Sequence, residues 1–173
     1  MRTTGNYAAF YRLIYDTIGG LTPLDYDCGS LCGKACCKGE ENGMLLFPHE
    51  EEALDLSAYT VCEQDGLLLL RCDGRCEREN RPLACRIFPF FPTIMPNGRI
   101  AVRPEAGAFK LCPCLQHIDC IRFDKLFLRS VRRVGRLLSI DDDCRAFLTE
   151  RGAENVPLLH MVLPEIPRSL IRR

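Results

Sequence analysis

Apolar residues at Tyr7, Phe10, Tyr11, Ile14 and Ile18 recur in steps of three and four, the repeat of a helix with one buried face, and Gly19-Gly20 ends it. From Leu21 to Gly43 the repeat gives way to Gly, Asp and Cys. Such a composition buries too little apolar surface to offset the ordering of the chain and needs another organiser. Met44 to Phe47 reads as a short strand. Pro48 with the acidic run Glu50 to Glu52 opens a helix to about Leu56, and Gly66 to Cys72 reads as a buried strand.

A second irregular stretch, CDGRCERENRPLACRIFPFFP, leads into Thr93 to Met95, a Pro-Asn-Gly turn at residues 96–98, and Arg99 to Val102. Asn-Gly between short apolar runs predicts a hairpin. The longest periodic segment, Gln116 to Ile140, carries Ile121, Leu128, Val131 and Leu138 on one side. Arg122, Lys125, Arg129, Arg132, Arg133 and Arg136 lie on another, which predicts one long amphipathic helix. Asp141 to Asp143 cap a last helix through about Glu150 that Gly152 closes. Pro157, Pro164 and Pro167 then predict an extended tail. These elements make a helix-rich α+β fold: cysteine-rich loops around a metal site, short strands or a hairpin, and the long helix as support. They predict one domain over 1–155 and a proline-containing tail over 156–173.

The chain has 173 residues, enough to bury a core without crosslinks, so a metal need not be its only source of stability. Its 23 basic residues balance 23 acidic ones, so no global field argues for nucleic acid or an anionic membrane, and any such partner needs a local patch. The first twenty residues lack the unbroken apolar run of a signal peptide, and no apolar stretch reaches the roughly 18 residues of a membrane span. The expected compartment is therefore the cytoplasm, where clustered thiols more often serve metal or redox chemistry than disulfides. That matters because twelve residues are cysteine.

The cysteines fall into groups. Cys28, Cys32, Cys36 and Cys37 stand in a CxxxCxxxCC spacing. Residues four apart share a helical face, so the first three make a slanted stripe of sulfurs able to chelate one centre. Vicinal Cys36 and Cys37 point in different directions in any regular conformation. Lys34 and Lys38 beside them favour the thiolate form. Cys72, Cys76 and Cys85 form a second group among Arg71, Arg75, Arg78, Arg81 and Arg86, and Cys112 and Cys114 flank Pro113. Cys120 and Cys144 sit on apolar helical faces, where a small thiol serves as core packing. The roles of Cys62 and Cys114 stay open. His49 is read as an exposed residue near a helix start, and His117 and His160 have no companion at ligand spacing. An all-sulfur set suits zinc or an iron-sulfur cluster and argues against calcium, magnesium or copper(II).

CxxxCxxxCC, the paired cysteines after it and the run RPLACRIFPF together resemble the bacterial and archaeal YkgJ-type cysteine cluster proteins, a zinc- or iron-chelating family with a CxxCxxCC motif. The resemblance runs from about Cys28 to Cys112, about half of the chain. It implies that Cys28, Cys32, Cys36, Cys37, Cys72, Cys76, Cys85 and Cys112 are the metal ligands. Eight thiols suffice for two four-sulfur sites or for one site with spares. Some members of that family are described as flagellin lysine methylases, which implies S-adenosylmethionine chemistry. No glycine-rich loop after a strand is present to support that chemistry here.

Metal binding without catalysis is thus the first expectation, since no acid-base pair, nucleophile dyad or phosphate loop stands out. A protein methylase or an iron-sulfur redox enzyme is the second, with Arg81 and Arg86 either holding an anionic substrate or neutralising cluster charge. Nucleic-acid or protein-partner binding through the Arg122 to Arg136 face is the third. That face lacks the interleaved aromatics of a nucleic-acid platform, and no membrane association is expected.

Overall fold

The structure, a computed structural model, describes residues 6–37, 43–72, 74, 77–117 and 121–162, with 155–162 described by backbone alone. Helix α1 (Tyr7–Ile18) starts where the Asn6 side chain accepts the Ala9 N–H at 3.0 Å. It stops at Gly19, whose φ of 54° lets its N–H turn back to Tyr15. Tyr11, Ile14, Tyr15 and Ile18 are its buried face, as their spacing predicts. Helix α2 (Cys28–Cys32) and a 3-10 turn (Ala35–Cys37) follow, and then β1 (Met44–Leu45).

In place of a helix from Glu50 to Leu56 there are two 3-10 turns, Glu50–Ala53 and Leu56–Ala58. Leu54 is extended between them, and the backbone of Asp55 is held in both directions by the Asn80 amide, at 2.8 and 2.7 Å. That tether prevents the turns from merging. Strands β2 (Thr60–Gln64) and β3 (Leu67–Arg71) form a hairpin, with β1 on the other edge of β3, all antiparallel. Asp65 and Gly66 both have positive φ, 52° and 76°, as the tightest hairpin turns require. The hydrophobic pattern does not reveal β2, because four of its five residues are exposed.

Helix α3 (Leu83–Ile87) leads into the second hairpin, β4 (Phe90–Ile94) with β5 (Ile100–Pro104), in a register from Phe90↔Pro104 to Ile94↔Ile100. This is the hairpin the Asn-Gly turn predicts, longer at its start because Phe90, Phe91 and Pro92 are buried strand residues. Two short helices, α4 (Ala108–Leu111) and α5 (Pro113–Gln116), precede α6 (Lys125–Leu138) and α7 (Asp142–Val162).

Helix α6 begins at Lys125 and not at Gln116. The Asp124 carboxylate caps it by accepting the Phe127 N–H at 2.6 Å, while the Asp124 N–H bonds Pro23 O at 2.9 Å and fixes a non-helical entry. Its buried face holds Phe127, Leu128, Val131, Val134 and Leu138. Arg129, Arg132, Arg133 and Arg136 are exposed on the other side, and among the described residues none of them makes an ion pair.

Helix α7 does not close at Gly152 but runs on to Val162. A Cβ at Gly152 would lie 2.7 Å from Thr93 Cγ2, so that glycine is there for close approach to β4. The predicted tail from residue 156 therefore begins as helix, and 163–173 lie outside the described residues. Gly135 does the same for α6, where a Cβ would meet Pro92 Cβ at 2.6 Å and Ile100 Cγ2 at 2.8 Å. We expect Gly135→Val to cost about 1–3 kcal/mol of stability through overpacking, read by thermal unfolding. An unchanged melting temperature would contradict this packing.

The core lies between α1, the β4–β5 hairpin, α6 and α7. Phe47, Phe91 and Phe147 meet at centroid distances of 5.0 to 6.3 Å, and Phe90 meets Phe123 edge-on at 4.9 Å. No helix among the described residues is long and apolar enough to cross a membrane.

Candidate metal centre

The cysteine groups come from separate elements on the side of the molecule where α2, α3 and the α4–α5 corner meet. Cys28 and Cys32 lie one turn apart on α2, which Asp27 caps by accepting the Gly29 N–H at 3.3 Å. The expected stripe does not continue to Cys36 along one helix. Gly33 and Lys34 both take φ 58° and turn the chain, so Cys36 and Cys37 come from the 3-10 turn. Cys36 nevertheless remains close enough to Cys32 and Cys28 for their negative charge to raise its pKa.

The vicinal thiols converge, with sulfurs 3.9 Å apart, where regular geometry predicted divergence. Their contact favours one proton between the two sulfurs, raising Cys36 and lowering Cys37. Cys36 is pushed up chiefly by its hydrogen bond to Cys37 and by burial. Cys37 is pulled down by that same bond and by the charges of Arg81 and Lys34. Gly74 passes over this pair at φ 81°, where a Cβ would come within 3.1 Å of the Cys37 carbonyl.

Cys112 ends α4 and opens α5, with Pro113 at the first helical position, so Cys112 and Cys114 fall on one side of the corner. Both are buried. Burial and the fields of Cys112, Cys28 and Cys32 push Cys114 up to about 12. Burial and the fields of Cys32, Cys112 and Asp27 push Cys28 up to about 11. Thus Cys28, Cys32, Cys36, Cys112 and Cys114 share one neighbourhood. Cys28, Cys36, Cys37, Cys72 and Cys85 line a single adjacent cavity of about 690 Å³. Cys114, left open by the sequence, belongs with the ligand candidates. Its position two residues after Cys112 was the available signal.

Other thiols stand apart. Cys62 is on β2 opposite Leu69, and Cys144 is fully buried in the core with its sulfur 3.5 Å from the Tyr11 hydroxyl. That is the packing role its helical face predicts. Cys76 and Cys120 lie outside the described residues. His49 is only one-third exposed: it stacks on Tyr7 and pairs with Asp143 at 2.9 Å, beside the core thiol Cys144 and off the cavity wall. Among the described residues no three Cys, His, Asp or Glu side chains are gathered closely enough to hold a metal ion as they stand. The donor chemistry fits a thiophilic metal, while the thiols are spread around the cavity wall.

Behind this wall lies a residue the sequence reading passed over. Glu50 is fully buried. Its Oε1 accepts the Tyr15 hydroxyl at 2.7 Å and the Leu83 N–H at 2.5 Å, and its Oε2 accepts the Phe47 N–H at 3.1 Å. Burial pushes its carboxyl up to about 7, against the pull of these three donors and of Arg86. Leu83 is the first residue of α3, so Glu50 fixes the start of the helix that carries Cys85 and Arg86. Glu50 stands three residues after Phe47, on the apolar side of its turn, which was the signal in the sequence.

Arg86 lies over the Tyr15 ring at 4.1 Å and donates to Arg81 O at 2.6 Å and Glu79 O at 2.7 Å. It pins the loop beside the second cysteine group through Nε and one Nη, and it also lines the cavity.

No family model matches the chain, and neither the curated proteins nor the solved structures contain a significant match. The likeness to the YkgJ-type family therefore rests on the motif residues alone.

Proposed function

We propose that the chain binds a thiophilic metal, as zinc or as an iron-sulfur cluster, through thiolates drawn from Cys28, Cys32, Cys36, Cys37, Cys72, Cys76, Cys85 and Cys112. The observation that carries this reading is the convergence of thiols from three distant stretches on one cavity and its margin. Core packing accounts for Cys112 and Cys114, which belong to the buried cluster, but not for Cys36, Cys37, Cys72 and Cys85, which lie outside it on the cavity wall. Lys34 and Arg81 beside Cys37 offset the negative charge that several thiolates would gather.

Two cysteines four apart on α2, two vicinal ones after a sharp reversal and two across a proline corner give local flexibility for closing on one ion. Metal uptake on this reading draws the wall together and releases thiol protons. Because Cys112 and Cys114 belong to the core and Cys28 packs against it, metal removal on this reading loosens this side of the molecule and lowers the stability of the whole.

The test is metal analysis, sulfide analysis and an absorption spectrum on protein purified without oxygen, combined with thiol alkylation before and after chelation. Stoichiometric metal with several thiols shielded until chelation is the expected result; a colourless zinc form and a brown iron-sulfur form separate the two cases. Metal-free protein that takes up neither zinc nor iron, with equally reactive thiols throughout, would overturn the reading.

A further inference from the structure

We infer that the cavity beside the cysteines is a binding site for a small organic anion with an apolar body. This goes beyond the metal reading and does not depend on it. At about 690 Å³ the space lies within the roughly 300–1,000 Å³ of small-molecule sites. That is far more than one ion and its four sulfurs fill.

Its wall has two chemistries. Leu21, Tyr59, Phe88 and Leu111 supply apolar and aromatic surface from four separate stretches of chain, while Lys34, Arg78 and Arg81 bring positive charge to the same space. Arg78 is held by its bond to Leu21 O at 3.2 Å, and Arg81 acts on both Cys37 and Arg86, so the cations concentrate toward the thiol end. Two carboxylates, Asp27 and Glu105, also reach the wall, where Arg86 brings the cations to four, so positive charge is in excess. Asp27 is moreover engaged in capping α2. An acidic group seated among Lys34, Arg78 and Arg81, with its hydrocarbon or aromatic part against Leu111 and Phe88, satisfies both halves of the wall. A neutral ligand makes no use of the excess positive charge of the wall, and an inorganic anion leaves the apolar half wet.

The test is fluorescence titration of the full chain with anilinonaphthalene sulfonate, an anionic aromatic probe, beside its uncharged relative N-phenylnaphthylamine. The titrations are run on metal-free and on zinc-treated protein. Saturable binding of the sulfonate to natively folded protein is expected. Arg81→Gln should weaken it at least about tenfold while leaving the neutral probe within about twofold. Leu111→Trp, which fills the cavity, should reduce both probes.

Absence of saturable sulfonate binding, or equal affinity in wild type and Arg81→Gln, would overturn the proposal. Lys34→Gln provides the second variant should Arg81→Gln fail to fold, with a loss of the same sign and the same selectivity. Failure to take up zinc with the probe results intact refutes only the metal reading. Zinc uptake without probe binding refutes only this one.

Discussion

Glu50→Ala lowers the unfolding free energy by about 3–5 kcal/mol, the largest single-residue loss expected in this chain. The change leaves the Tyr15 hydroxyl and the Phe47 and Leu83 N–H groups buried without their acceptor, at roughly 1–3 kcal/mol for each unmet donor. Glu50→Gln keeps one acceptor oxygen and loses less. Urea unfolding measures both, and an alanine variant within about 0.5 kcal/mol of wild type would show that the network is dispensable.

The same residue sets a pH dependence. Its carboxyl titrates near its ordinary 4.5 in the unfolded chain and at about 7 when folded. The native state therefore keeps a proton that the unfolded state releases, and the associated stability is complete below about pH 4.5. It declines as pH rises to about 7, by roughly 3 kcal/mol at most. Unfolding curves at pH 5 and pH 7.5 should differ in that direction, and Glu50→Gln should flatten the difference.

The second large effect falls on the metal binding proposed above. Cys28 lies between the two thiol neighbourhoods, near Cys32 and Cys112 on one side and on the cavity wall on the other. Cys28→Ser is expected to weaken zinc binding more than about 100-fold. Groups that merely orient ligands are already worth about 10–100-fold, and a ligand is worth more. Cys62→Ser, half-buried on β2 opposite Leu69 and off the cavity wall, should leave affinity unchanged. Competition against a chromophoric chelator reads both, and equal losses in the two variants would remove the distinction between them.

What the sequence made legible follows from how local each cause is. Helix α1, the apolar face of α6 and the β4–β5 hairpin are written in short-range spacing and turn chemistry, and they form where those signals place them. The start of α6 was not legible, because the Asp124 entry depends on Pro23, a hundred residues away. Nor was the end of α7, where Gly152 reads as a stop signal and instead fits against Thr93. Strand β2 was hidden by its exposure.

At the candidate site the cysteines were recognisable as residues, but their grouping was not. The nearness of Cys114 to Cys28 is a product of how the α4–α5 corner packs. The kink at Gly33 and Lys34 that brings Cys36 to Cys37 leaves no trace in a four-residue spacing.

Neither α2 nor the 3-10 turn after it contains a buried residue, whereas α6 has six. Amide protons of the thiol-bearing segment are therefore protected only by local openings of low cost, and those of α6 by opening of the whole core. The molecule is in effect a slow-exchanging scaffold bearing a fast-exchanging layer. The cysteines of α2 and of the turn after it can rearrange on a timescale set by that layer, while the architecture underneath, with Cys112, Cys114 and Cys144 in it, stays closed.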